Sequence, residues 1–374
     1  MKQYISELQI MFGTWEEDFK TTIEKNNPNF EEDFNDILQA LPPEIITEYL
    51  SWMIDIGNTT LISDNIDTIM HCASEYTGYQ KVWIAKTINL LKNIQDSNID
   101  NSIANNLMPI IKGPYTRGNP WVIINFYNNC KDIGNSRDII EENYGEILNT
   151  IFSHNEYLSN NPTVLDRIKD LISKIAEQEN IRLSDIEDAG NGQYSDCMKI
   201  GTTILKFGKN RILEDLPAHK RILQPKLRIN IPQNYNEQIE QGTLKPDDLI
   251  AIECQDEVDT KWDENMPDNQ KNEILYSIYK DLRNSGFIWT DIKPENVGRL
   301  LKPNIINYTV TDSNGEAVQA QTSLPVGEFV IFDTDRIYEK DKLPKFKNVG
   351  LLHSPSYEQF EERYNNEQKE LASR

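Results

Sequence analysis

Residues 285–300 read SGFIWTDIKPENVGRL. Just upstream, NQKNEILYSIYKDLRNSG (269–286) spaces its apolar residues at three and four, which predicts a helix closed by Gly286. After Phe287-Ile288-Trp289 the chain turns polar, and Asp291, Lys293, Glu295 and Asn296 stand around Pro294, a turn residue. A loop that concentrates an acid, a base and an amide within six residues is either a solvated turn or a site. The rest of the chain decides between them.

Upstream of about residue 180 the apolar residues recur in helical rhythm. In NPTVLDRIKDLISKIAEQEN (161–180), Leu165, Ile168, Leu171, Ile172 and Ile175 form one stripe, with Asn161 placed to cap and Pro162 at the first helical position. PEIITEYLSWMIDI, YQKVWIAKTINLLKNI and RDIIEENYGEILNTIF repeat the pattern between Asn, Asp, Gly and Pro clusters. This predicts an all-α domain over residues 1–182.

Beyond it the rhythm changes. SDCMKIGTTILKFG (195–208) reads as strand, tight Gly-Thr turn and strand, and DLIAIEC (248–254) as another strand. INYTVTDSNGEAVQA (306–320) reads as a hairpin around Asn-Gly, and EFVIFDTDRIY (328–338) as one further strand. Strands, then a helix, then a hairpin predict an α+β domain over residues 183–374.

Composition narrows the function. The net charge is −22, of which residues 1–185 carry −14 (14 Lys+Arg against 28 Asp+Glu) and the remainder −8. Such a chain is a poor general partner for nucleic acid or anionic membrane, and phosphate chemistry needs a local basic site. The four cysteines, Cys72, Cys130, Cys197 and Cys254, have no C-x-x-C spacing, which speaks against a zinc site and fits a reducing compartment. No apolar run approaches a membrane span, and the start MKQYISELQIMFG lacks the regions of a signal peptide, so the expected location is a cytosol, the cell's own or a host's.

Four pieces carry the chemistry. In Gly190-Asn191-Gly192-Gln193-Tyr194-Ser195, two glycines between strands allow backbone N–H groups to approach phosphate oxygens. In Thr203-Ile204-Leu205-Lys206, a lysine between apolar strand neighbours is costly unless an anion partners it, with Lys199 on the preceding strand as the rival. The third piece is Asp291-Ile-Lys293-Pro-Glu-Asn296, and the fourth is the apolar FVIF followed by Asp333-Thr-Asp335.

In this order the pieces resemble the protein-kinase family over roughly residues 186–340. They match its glycine-rich loop with Ser195 in the third glycine slot, its V-A-I-K strand, its D-x-K-P-E-N catalytic loop and the strand into D-F-G. The resemblance implies a bilobal domain with an N-lobe near 183–258 and a shortened C-lobe near 259–374, binding ATP and Mg2+. Residues 190–195 and Lys206 would then hold phosphates, Asp291 would orient the acceptor hydroxyl and take its proton, and Lys293 would neutralise the moving phosphoryl. Asn296 and Asp333 would hold the metal, with Asp335 as the alternative ligand. Adenine would lie against backbone groups of Glu253, Cys254 and Gln255. RILEDLPAHKRILQP resembles the αC segment, with Glu214 the candidate partner of Lys206 and His219 competing for that slot.

Departures from the family pattern are also present. Trp289 and Thr290 stand where the family carries His and Arg, Thr334 and Asp335 replace Phe and Gly, and no A-P-E follows in the 39 residues after Asp335. The compact outline is similar to the small effector kinases that bacteria deliver into host cells. The implied activity is γ-phosphoryl transfer to a protein Ser or Thr hydroxyl, independent of a phosphorylated activation loop. A pseudokinase platform and transfer of another group such as AMP remain the alternatives. The acidic helical half is expected to dock the protein substrate or partner, steering a basic one toward it.

Overall fold

The computed structural model describes residues 34–41, 43–74, 81–113, 120–153, 155–191, 195–209, 216–245, 248–311, 317–334, 336–339 and 355–373. It is an α+β protein whose contacts divide the chain into two compact units: Met1–Gly201 with Glu237–Asp248, and Thr202–Asn236 with Leu249–Arg374. Among the described residues no helix is long and apolar enough to cross a membrane.

In the first unit the helices are α1 (Phe34–Ala40), α2 (Pro43–Asp55), α3 (Thr59–Asp64), α4 (Ile66–Ser74), α5 (Lys81–Leu91), α6 (Ser97–Lys112), α7 (Pro120–Cys130), α8 (Ser136–Phe152), α9 (Glu156–Asn160) and α10 (Pro162–Glu179). Each buries the face its spacing foretells. Ile46, Tyr49, Leu50 and Met53 of α2 are buried, as are Ile99, Ile103, Leu107, Ile110 and Ile111 of α6. Each such side chain contributes about 1.5–3 kcal/mol on removal from water. Asp96 starts α6 by accepting from the N–H groups of Asn98 and Ile99 at 2.8 and 3.4 Å.

α10 buries Ile168, Ile172 and Ile175 as expected and adds Ala176, while Leu165 and Leu171 stay half-buried. Asn161 does stand at its N-cap, but the side chain donates back to Tyr157 O (2.8 Å) rather than accepting from the helix. Here Pro162 has already removed one orphan donor.

After α10, β1 (Glu187–Asn191) and β2 (Ser195–Ile200) pair antiparallel. Helices of the same unit hold them: Tyr127 Oη and Asn128 Nδ2 both donate to Ile186 O (3.0 and 3.1 Å), and Arg137 bridges Asp185 and Asp132 (2.8 and 2.6 Å). The segment around α11 (Tyr235–Glu240) also returns to this unit, where Asn155 Nδ2 donates to Asp248 O and Lys245 pairs with Glu156.

The second unit contains β3 (Thr203–Lys209), β4 (Leu227–Ile231), β5 (Ile250–Asp256), β6 (Val258–Asp259), α12 (Asp268–Asn284), β7 (Phe287–Trp289), β8 (Val297–Leu300), β9 (Asn304–Thr311), β10 (Ala317–Leu324), β11 (Phe329–Ile331), β12 (Ile337–Glu339) and α13 (Pro355–Ala372). β5 runs between β3 and β4, antiparallel to both. β8 runs between β11 and β6, and β12 pairs with β7. Gly298 allows the β8–β6 approach, since a Cβ there would come within 2.5 Å of Val258 Cγ2.

Two expectations change here. FVIFDTDRIY forms two short strands, β11 and β12, that pair with different partners, because the chain breaks strand geometry from Phe332 onward. Nor do residues 216–225 form a helix: a turn at residues 220–221, closed by Ile222 N donating to His219 O (2.9 Å), leads into an isolated parallel bridge of Ile222 with Ile331. Pro217 supplies the reason at its position.

The core of this unit gathers Leu275, Tyr276, Ile278, Tyr279 and Leu282 of α12 around Trp289, Ile292, Val297, Ile331, Ile337 and Phe360. α13 seals it. Arg283 forks onto Glu361 (2.9 and 2.8 Å), Tyr279 Oη donates to the same carboxylate, Lys280 meets Glu367 (2.6 Å) and Arg363 meets Glu273 (2.7 and 3.0 Å). Burial pushes the Glu361 carboxyl up, but the hydrogen bonds from Arg283 and Tyr279 outweigh it and hold it below the ordinary glutamate value.

The anticipated hairpin is the two-stranded β9–β10 ribbon. One face anchors it through buried Ile306 and Leu324, with Asn304 Nδ2 donating to Lys220 O and Ile222 O (both 2.9 Å). The other carries a polar ladder, Gln319 to Thr309 (3.0 Å) and Gln321 to Asn307 (3.1 Å).

Candidate functional site

The loop after β7 alternates anchors with outward groups. Trp289, Thr290, Ile292 and Asn296 are buried, while Asp291, Lys293 and Glu295 reach toward solvent to different degrees. Thr290 N donates to Arg336 O (3.0 Å), and Trp262 Nε1 donates to Pro294 O (3.1 Å), fixing both ends of the turn. Trp262 is itself held by stacking on Phe329 at 4.8 Å between centroids. The loop therefore has a fixed shape before any ligand arrives.

Within it, Asn296 Nδ2 donates to Asp291 O and Asp291 Oδ2, both at 2.9 Å. Lys293 Nζ lies 2.9 Å from the same Oδ2. The Lys293 ammonium is held above its ordinary value, first by this hydrogen bond and then by the charges of Asp291, Asp333 and Glu295. Since the nitrogen of Asn296 is committed to Asp291, its amide oxygen is the atom left to meet a cation.

β11 brings in the last carboxylate. Ile331 pairs with Val297, and Phe332 N donates to Asn296 O (3.0 Å), so Asp333 follows directly beside the loop. The Phe332 carbonyl then accepts from Lys206 Nζ (2.9 Å), which also lies 5.5 Å from the Phe332 ring centroid. One continuous set of contacts thus gathers Lys206, Asp291, Lys293, Asn296 and Asp333 from three separate segments of the sequence. That arrangement presents a cation suited to phosphate, a carboxylate able to accept a hydroxyl proton and two oxygen donors for a hard cation.

Glu253, expected to serve through its backbone, lies inside β5 with its side chain directed onto Lys206. Its Oε1 is 3.9 Å from Lys206 Nζ, and its Oε2 accepts from Arg228 Nε (2.9 Å). Gln255 completes the group. With its amide turned to match its neighbours, the nitrogen donates to Glu253 Oε1 (3.2 Å) and the oxygen accepts from Lys206 Nζ (3.1 Å). Cys254 points to the opposite face, and burial pushes its thiol up to about 12. Its carbonyl accepts from Lys226 N (2.7 Å), within the ladder that β5 makes with its neighbours.

The remaining assignments fall elsewhere. Gly190 adopts φ +97°, which a side chain would resist, and its N–H donates to Asp188 Oδ1 (3.1 Å). Gly190 and Asn191 belong to the first unit with Ser195, whereas Gly192, Gln193 and Tyr194 lie outside the described residues, as do Glu214 and Asp335. Lys199 pairs with Glu187 at 3.9 Å in that same unit. His219 accepts from Arg221 N through Nδ1 and meets Ser285 Oγ through Nε2, each at 3.1 Å, away from Lys206. Sequence reasoning missed Arg228 and the Glu253 and Gln255 side chains as partners of Lys206. Arg228, the one charged residue in Leu-Arg-Ile-Asn-Ile, was the available signal.

Among the described residues no group of three or more His, Cys, Asp or Glu gathers to hold a metal. Asn296 and Asp333 offer two oxygen donors, which suits a cation that completes its shell with phosphate and water rather than an all-protein cage. No family model, no curated protein and no solved structure matches the chain.

Proposed function

We propose that the second unit transfers the γ-phosphoryl group of Mg-ATP to a Ser or Thr hydroxyl of a protein. The observation that carries this reading is the single network linking Lys206, Asp291, Lys293, Asn296 and Asp333 through Phe332. In it Lys206 would meet phosphate oxygens, and Asn296 Oδ1 with the Asp333 carboxylate would hold magnesium, which when bound would supply charge stabilisation to the phosphates.

The chain's own groups do the rest. Asp291 would receive the acceptor hydroxyl, orient it and take its proton as the new phosphoester bond forms and the bond from the γ-phosphorus to the bridging oxygen breaks, releasing ADP. Lys293, already paired with Asp291, offsets negative charge on the moving group. Asn296 keeps Asp291 in place through two hydrogen bonds, which leaves its amide oxygen as the atom that would meet the metal. A geometry set by buried Ile292 and Asn296 needs no phosphorylated loop to form it, which agrees with Thr290 standing where a phosphate-reading Arg would be.

The test is incubation with ATP labelled at the γ or at the α phosphate, with magnesium and a mixture of basic protein substrates. Protein labelled from γ-ATP supports the reading. Labelling from α-ATP would replace it with nucleotidyl transfer, and labelling from neither would leave a binding platform.

A further inference from the structure

We infer that Glu253, fixed by Arg228 and Gln255, is the carboxylate that positions Lys206, and that a neighbouring strand rather than a helix supplies it. The inference rests on the phosphoryl-transfer reading above and names a positioning apparatus that the reading does not require.

The argument begins with register. Lys206 on β3 lies directly opposite Glu253 on β5, and Arg228 on β4 lies opposite the same Glu253. Residues directly opposite on neighbouring strands share a face, so the three side chains form one row, cation–anion–cation, across three strands. Gln255 is two residues along β5 and therefore on that face as well. The row is deeply buried, with side-chain exposures of 13% for Lys206, 6% for Glu253 and 16% for Arg228. A carboxylate so placed needs its partners, and both of its oxygens are used: Oε2 by Arg228, Oε1 by Gln255 and Lys206. Lys206 in turn is aimed by two acceptors, the Gln255 amide oxygen and the Phe332 carbonyl, with the Glu253 carboxylate as its ion-pair partner at 3.9 Å.

The row carries two cations and one anion, so it keeps a net positive charge facing the end of β11. Lys206 is thus held by Glu253 without being neutralised, because Arg228 shares the carboxylate. The ladder that sets the register is part of the fold itself. No element has to swing in to complete the pair, and the lysine is in place whenever the unit is folded.

The experiment measures kcat and KM for ATP in γ-phosphoryl transfer, together with thermal melting, on the full chain. The variants are Lys206→Met, Glu253→Gln, Gln255→Leu and the double variant Lys206→Met/Glu253→Gln. Lys206→Met is expected to lose at least about 100-fold in kcat/KM and Glu253→Gln roughly 10- to 100-fold. The double variant should match Lys206→Met alone within about threefold, because Glu253 acts only through Lys206. A merely structural Glu253 would add its own loss to that of Lys206. Should Glu253→Gln fail to fold, Gln255→Leu takes its place, with a loss of roughly 3- to 10-fold that likewise disappears on the Lys206→Met background.

Full activity in Glu253→Gln, or additive losses in the double variant, overturns the positioning role while phosphoryl transfer by the unaltered protein still stands. Failure of the unaltered protein to transfer phosphate removes both conclusions together.

Discussion

Among the described residues, the buried polar side chains of the helical unit are Thr47, Ser63, Thr87, Ser102, Ser136, Asn155 and Ser184; those of the second unit are Thr203, His219, Glu253, Gln255, Thr290, Asn296, Asn304 and Thr334. The first set is almost all hydroxyls, and those with partners find them simply. Thr47 and Thr87 meet each other (2.8 Å), Ser102 donates to Asp67 (2.6 Å), and Asn155 caps α9 through Leu158 N (2.8 Å). The second set includes a carboxylate, an imidazole and three amides, each needing several partners. Burying a hydroxyl costs little once one hydrogen bond is made, whereas burying a carboxylate is tolerated only inside a complete network. The helical unit therefore buries polarity to fit chain to chain, and the second unit buries its carboxylate and amides in networks, those of Glu253, Gln255 and Asn296 at the proposed site and that of Asn304 under the hairpin.

The sharpest way to break this contrast is to alter one residue in each unit. Asp291→Asn removes the proton acceptor but keeps the shape of the loop. Phosphoryl transfer is expected to fall by about 10²- to 10⁴-fold with melting nearly unchanged, measured by γ-label transfer and circular dichroism. An Asp291→Asn protein at full rate would end the assignment.

Next in size is Leu107→Ala in α6. It opens a cavity in a fully buried apolar contact and should cost about 2–5 kcal/mol of stability by denaturant titration. Turnover by the folded fraction should keep its rate, because that unit buries no charge for chemistry. A direct drop in kcat at temperatures where the variant is folded would erase the distinction.

His219 gives a smaller, pH-dependent effect. Burial lowers its imidazole to about 4 from 6.5, outweighing the attraction of Asp281. The unfolded chain then binds more protons between those values. The stability it contributes is complete above about pH 6.5 and is lost as pH falls toward 4. The loss is on the order of 2–3 kcal/mol across that window. His219→Gln should flatten this part of the stability–pH curve, and an unchanged slope would remove the residue from the account.

Smallest of all, Lys174→Ala on the exposed side of α10 loses only an i,i+4 pair with Asp170. It should stay within about 0.5 kcal/mol of the unaltered protein in a melting comparison.

The helical unit was largely legible because one periodicity explains it. Ile168, Ile172 and Ile175 are buried as their spacing requires, whereas Leu165 and Leu171 stay half-buried and the Asn161 side chain turns backward. In the second unit α12, β5 and the hairpin were also legible, since each is long enough to show its period. β7, β11 and β12 are three residues each, too short for alternation to register, and FVIFDTDRIY hid a change of partner in the middle of an apolar run. α13 did leave a trace, since Tyr357, Phe360 and Tyr364 recur at three and four. The loop residues Asp291, Lys293 and Asn296 could be read because they are close in sequence. Arg228 and Glu253 could not be joined, because their meeting depends on a strand register that neither local pattern specifies.

The contact between Lys206 Nζ and the Phe332 carbonyl spans 126 positions of chain, and that between Tyr279 and Glu361 spans 82. Contacts so far apart in sequence form only after long loops have closed, at an entropic cost that local helix contacts avoid. Helix contacts of the first unit can form between nearer residues, such as Thr47 with Thr87 across 40 positions, while its returning segment meets it across 93, from Asn155 to Asp248. The consequence lies in time rather than in energy: Lys206 and Phe332 are expected to meet among the last events of folding. Until they do, the newly made chain has its helices in place but its lysine unaimed.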